Sequence, residues 1–78
     1  MNNYTETERG HLKAIGSNIR ILRQKFNMSQ ENLAFETQLD RTYVGSVERG
    51  ERNISVLNII KIANVLEVPP SELLKEIL

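Results

Sequence analysis

Between residues 12 and 26 the apolar side chains Leu12, Ile15, Ile19, Leu22 and Phe26 recur at intervals of three, four, three and four. That spacing lays one stripe along a helix. No stretch of the chain alternates with period two for long, so strands have no basis in the sequence. Asn27 can end the first helix, predicted over about 9–26, in a left-handed conformation. Ser29 caps a second helix over 30–37 that buries Leu33 and Ala34, and Gln38 with Leu39 makes a turn. Asp40 caps a third over 41–49, which stops at Gly50. After a loop, Ser55 caps a fourth that ends near Leu66. Pro69 and Pro70 break it, and Pro70 suits the first turn of a fifth, running to the C-terminus. Residues 1–8 are polar and without period, and read as a loose tail. The fold class is all-α: a compact five-helix domain over 9–78.

The chain of 78 residues makes one domain with a modest core. It has no cysteine, so neither disulfides nor a cysteine metal site is available, and its single histidine, His11, rules out a histidine-only cluster. His11 reads as exposed, with no catalytic partner. No metal or cofactor is expected. No apolar run reaches the roughly 18 residues of a membrane span. The opening MNNYTETERG has neither the basic start nor the apolar centre of a signal peptide. A cytoplasmic protein without a membrane partner is the expectation.

Ten basic and ten acidic residues leave no net charge. The distribution matters more than the sum. Residues 9–25 carry Arg9, Lys13, Arg20, Arg23 and Lys25 and no acid, whereas the C-terminal stretch carries Glu67, Glu72 and Glu76 against Lys75 alone. The basic region can face a polyanion while the rest faces elsewhere.

On the third helix Val44 and Val47 define the buried side. Thr42, Ser46 and Arg49 point the other way, Arg41 and Tyr43 lie on the flanks, and Gly45 leaves the outer face low. Counted from Gln30, Leu33 is fourth, Ala34 fifth, Leu39 tenth, Val44 fifteenth and Val47 eighteenth. This is the apolar pattern of a helix-turn-helix, in which a small fifth residue lets two helices cross closely. Residues 29–50, SQENLAFETQLDRTYVGSVERG, resemble the DNA-binding unit of the phage-repressor-like (XRE-type, lambda-repressor-like) helix-turn-helix family. The ninth position, commonly glycine there, is Gln38, and glutamine tolerates positive φ poorly. DRTYVGSVERGERNIS followed by VLNIIKIANVLEVPPSELL narrows the resemblance to the controller proteins of bacterial restriction–modification systems. The resemblance implies a small homodimeric regulator bound to operator DNA, with RNA polymerase as a further partner.

Arg41, Thr42 and Ser46 are the candidate base readers. An arginine fork matches O6 and N7 of guanine, and a threonine offers a hydroxyl and a methyl. A phosphate contact or a solvated side chain is the bland alternative for Arg41, and a merely small exposed residue for Ser46. Gln30, at the outward-facing start of the second helix, and Tyr43 are candidate backbone contacts; simple packing is the alternative for Tyr43. Ser29 reads as a plain cap. Arg49, Arg52 and Asn53 join the backbone set because, in the resembling families, this loop lies along the sugar-phosphate chain. Glu31, Glu36 and Glu51 read as solvated charges. Glu48 leans toward the buried side. In the family this glutamate pairs with an arginine of the first helix, here Arg23, and a partly buried ion pair is the expectation.

The fourth helix is apolar in nearly all directions and needs cover on more than one side. A second copy is the simplest further cover, and Ile59, Ala63, Leu74, Ile77 and Leu78 are the expected dimer interface. The alternative is a fully internal fourth helix. Two copies would set two recognition helices about 34 Å apart on a near-palindromic site. A sequence-specific transcriptional regulator leads among the functions. The same scaffold serves phage repressors and antitoxins, and the zero net charge favours a helical protein-binding adaptor that does not touch DNA. An enzyme lacks support, since no histidine-carboxylate arrangement and no phosphate-cradling glycine loop is present.

Overall fold

The computed structural model describes residues 3–76. These form four α-helices, α1 (Glu6–Lys25), α2 (Gln30–Thr37), α3 (Arg41–Glu48) and α4 (Val56–Leu66), followed by a short 3-10 helix, Pro70–Leu74. No strand is present among the described residues. The fold is all-α, with four helices where the sequence suggested five. The last element is a short 3-10 turn rather than an α-helix, and it ends where Lys75 takes an extended backbone at φ −56° and ψ 143°. Ile77 and Leu78 lie outside the described residues.

α1 begins at Glu6, three residues before the start predicted at about residue 9. Thr5 and Glu8 form a capping box: the Glu8 amide donates to the Thr5 hydroxyl, and the Thr5 amide donates to the Glu8 carboxylate. The polar start of the chain therefore holds a helix cap at a place read as tail. Ser29, Asp40 and Ser55 cap α2, α3 and α4 through their side-chain oxygens.

All four helices end alike. A residue with positive φ follows each one, namely Asn27, Gln38, Gly50 and Glu67. The next amide then donates back five residues, from Met28 to Arg23, Leu39 to Ala34, Glu51 to Ser46 and Val68 to Ala63. These are Schellman closures. Gln38 sits at φ 60° and ψ 32° in spite of its side chain. The two returning amides, and Leu39 packed against the core, hold it there.

The core gathers Ile15 and Ile19 of α1, Leu33 and Ala34 of α2, Val44 and Val47 of α3, Ile54, four residues of α4 and Leu73. α1 meets α3 at Gly16, where a Cβ would run into the carbonyls of Val47 and Glu48. The Asn18 amide on α1 donates to the carbonyls of Leu73 and Lys75, each at 3.1 Å, and ties the C-terminal turn to α1. Ile59 and Ala63, expected at a dimer interface, are buried within the protomer. The apolar residues that α4 exposes are Val56, Leu57 and Ile60. Leu74 is half-buried against the core.

Candidate nucleic-acid interface

α3 projects its first turn into solvent. Asp40 takes the Thr42 amide at 2.8 Å and fixes where the helix starts. Arg41 and Thr42 are both exposed, and among the described residues Arg41 makes no hydrogen bond or ion pair. Its guanidinium is thus an unspent set of donors at the N-terminus of a helix whose first two residues stand clear of the domain. Val44 and Val47 anchor the opposite side in the core.

Ser46 does not join them. It is only 6% exposed, and its hydroxyl donates to the Tyr43 carbonyl at 2.9 Å. Its own carbonyl accepts the Glu51 amide. Ser46 therefore belongs to the helix exit and is removed from the base-reading set. A wheel of one isolated helix cannot show what the following loop covers.

Behind α3 lies a buried polar network. Arg23 donates to Glu48 through Nε at 2.6 Å and Nη2 at 3.0 Å, and through Nη1 to the Met28 carbonyl at 2.8 Å. Both side chains are nearly covered. The Gln30 amide nitrogen donates to the same carboxylate at 2.9 Å. Glu48 thereby joins α1, the start of α2 and the end of α3. Every buried side-chain nitrogen and oxygen among the described residues is partnered, the condition under which such a network is tolerable in a core. Because Glu48 must accept, the Gln30 nitrogen faces inward and its oxygen faces out, over Gly45. Arg49 reaches the same spot from the other end of α3, and the two side chains fill the gap that Gly45 leaves.

Tyr43 is half-buried, and its hydroxyl accepts from the Asn58 amide at 3.0 Å, which leaves its own proton free to donate. The Arg52 guanidinium lies 5.5 Å from the centre of the Tyr43 ring, within cation–π range. Arg49 is exposed and paired with Glu51 through two bonds of 3.1 Å. That bond, with the charges of Arg49 and Arg52, holds the Glu51 carboxyl below its ordinary range, and Glu51 in turn raises Arg49. Glu51 is therefore not a free solvated charge, and only the two-residue spacing from Arg49 hinted at the link. Asn53 stands apart. It is exposed and shares a shallow hollow with Tyr4, Glu8, His11 and Leu12 on the α1 side. No group of three metal-ligating side chains exists among the described residues, and no helix is long and apolar enough to cross a membrane.

Two closely packed short helices with an exposed, arginine-headed second member define a helix-turn-helix protein. A helix-turn-helix family model matches residues 19–73. The chain belongs to that family. It is 53% identical over 60 residues to the control protein C.BamHI of Bacillus amyloliquefaciens, covering 76% of this chain and 74% of that one. It is 43% identical over 63 residues to the control protein C.MunI of a Mycoplasma species, covering 80% and 85%. The crystal structure of the restriction–modification controller protein C.AhdI from Aeromonas hydrophila superposes with a TM-score of 0.80 at 50% identity, over 82% of this chain and 97% of that one. The resemblance to restriction–modification controllers therefore extends from sequence words to the backbone over most of the chain.

Proposed function

We propose that this chain is a sequence-specific transcriptional regulator, the controller of a restriction–modification system, and that it binds a near-palindromic operator as a homodimer. One observation carries the reading: the side chains of Arg41 and Thr42 project, unpaired among the described residues, from the exposed start of a helix whose other side is locked into the core. Such a ridge fits the major groove, where its first residues meet base edges. Tyr43 and Arg52 flank it as phosphate contacts. Gln30 offers its outward oxygen and one remaining amide proton beside them. The kinship with proteins named as controllers supports the narrower role.

The exposed strip of Val56, Leu57 and Ile60 on α4 supports the homodimer. At 70% and 72% exposure, Val56 and Leu57 leave apolar surface that a lone protomer gains nothing by wetting.

The test is selection of duplexes from a random library, followed by a salt titration of the winner and of a scrambled control. A regulator enriches a two-fold symmetric sequence. Its log affinity falls with log salt by about 0.9 per phosphate neutralised. Absence of duplex binding at low salt would favour an adaptor that meets protein through the same face.

A further inference from the structure

The Arg49–Glu51 pair occupies the wrong place for an idle surface bridge. The two residues straddle Gly50, whose φ of 76° turns the chain, and the Glu51 amide is pinned to the Ser46 carbonyl at 2.9 Å. The Schellman closure therefore sets the Glu51 backbone at a fixed position beside the last turn of α3. From there its two oxygens take Nε and Nη2 of Arg49, while Nη1 lies over Gly45 beside the Gln30 oxygen. The edge of the guanidinium that Glu51 occupies is an edge that binds a phosphate in bidentate fashion. A carboxylate and a phosphodiester present the same pair of acceptor oxygens to it, so only one can hold that edge at a time.

The charge consequence is specific. Binding to unselected DNA is almost wholly phosphate electrostatics. An arginine whose charge is cancelled within its own loop adds little to that term. A duplex seated against α3 would, by contrast, bring its phosphates toward this end of the helix, where one could displace the carboxylate. Resting on the DNA-binding reading, we propose that Glu51 is a specificity-determining residue, an in-chain phosphate mimic that silences Arg49 on unselected DNA and gives way only when α3 is docked in the groove.

The experiment uses the full chain, a duplex selected by the wild type from a random library, and a scrambled duplex of equal length. Glu51→Gln keeps the shape and removes the charge. It tightens binding to the scrambled duplex several-fold and to the selected duplex less, so the ratio between them falls. Its salt slope on scrambled DNA steepens by about 0.9, the signature of one more phosphate neutralised. In an Arg49→Ala background the same substitution yields a much smaller gain. Glu67→Gln, an equal charge change on the loop after α4, leaves the ratio unaltered. Weaker binding of Glu51→Gln to both duplexes would show that the carboxylate merely aims Arg49, and would overturn the proposal. An equal gain on both, or a gain undiminished without Arg49, would reduce it to bulk charge. Failure of the wild type itself to bind any duplex would instead remove the DNA-binding reading, and this inference with it.

Discussion

At the scale of single residues, the arginines of this small protein do three different jobs, and their partners tell them apart. Arg23 is buried and spends its donors on Glu48 and the Met28 carbonyl. Arg49 is held by Glu51, and Arg52 lies on Tyr43. Arg41 alone of these four is free among the described residues. Arg41→Ala is therefore expected to cost about 1–3 kcal/mol on the selected duplex and to relax preference at one base position. Equal losses on selected and scrambled DNA in a binding titration would make it a phosphate contact instead. Glu48 carries a different expectation. Its removal strands the Arg23 charge and the Gln30 amide in a covered site, so Glu48→Ala should destabilise by about 3–5 kcal/mol in urea unfolding. Replacing Arg23 and Glu48 together with apolar residues of similar volume should cost much less. If the double replacement were the worse of the two, the network would be adding net stability that desolvation does not cancel. The Arg23–Glu48 contact was suggested by family resemblance and wheel position. Gln30 as its third member was not, since nothing in the sequence spacing says which way an amide turns.

At the scale of elements, local chemistry wrote most of the fold into the sequence. The stripe of α1, the caps Ser29, Asp40 and Ser55 and the stop at Gly50 each signal a boundary within a few residues of itself; the starts of α2, α3 and α4 and the ends of α1 and α3 fall at or beside those signals, whereas α1 starts at Glu6, ahead of its stripe. What the sequence obscured depends on contacts between distant segments. Ser46 is covered only once the exit loop folds back, and Ile59 and Ala63 turn inward because α4 is wedged among α1, α2 and the C-terminal turn. The 3-10 turn is anchored by Asn18, fifty-five positions from Leu73. Gln38 shows the opposite case, in which a local preference was legible and tertiary structure overrode it. A left-handed conformation costs a residue with a Cβ about 1–2 kcal/mol, of which glycine's extra chain entropy returns about half. Gln38→Gly is accordingly expected to stabilise the domain by roughly 0.5–1 kcal/mol, a rise of a few degrees in melting temperature. A lower melting temperature would mean that the glutamine side chain repays its strain through contacts of its own.

At the scale of the whole molecule, size and surface bear on the proposed pairing. The protomer measures 32 × 25 × 20 Å between its outermost backbone positions. For the proposed dimer to reach successive major grooves, its two α3 ridges must lie about one helical turn of DNA apart, about 34 Å, and so the copies must meet through a face that leaves both ridges on one side. A two-fold axis requires each copy to offer the same patch. Val56, Leu57 and Ile60 form the exposed apolar strip of α4, and they follow directly on the loop that carries Arg49 and Arg52. An interface there would also fix the spacing of the two basic loops. Because the chain carries no net charge, the proposed reading draws its affinity from two ridges engaged together rather than from the bulk charge of one protomer. Leu57→Ser should therefore act on both properties at once. Sedimentation velocity is expected to show a shift from dimer to monomer, while the melting temperature of the monomer stays near that of the dilute wild type, because Leu57 is 72% exposed and absent from the core. Affinity for a symmetric duplex should fall by far more than affinity for a single half-site, since the second ridge is lost and the first is untouched. A Leu57→Ser chain that still sediments as a dimer would move the interface to another face, with Phe35 on α2 and Ile21 and Phe26 at the end of α1 the other exposed large apolar residues among those described. A monomer that kept full affinity for the symmetric duplex would separate DNA binding from pairing altogether.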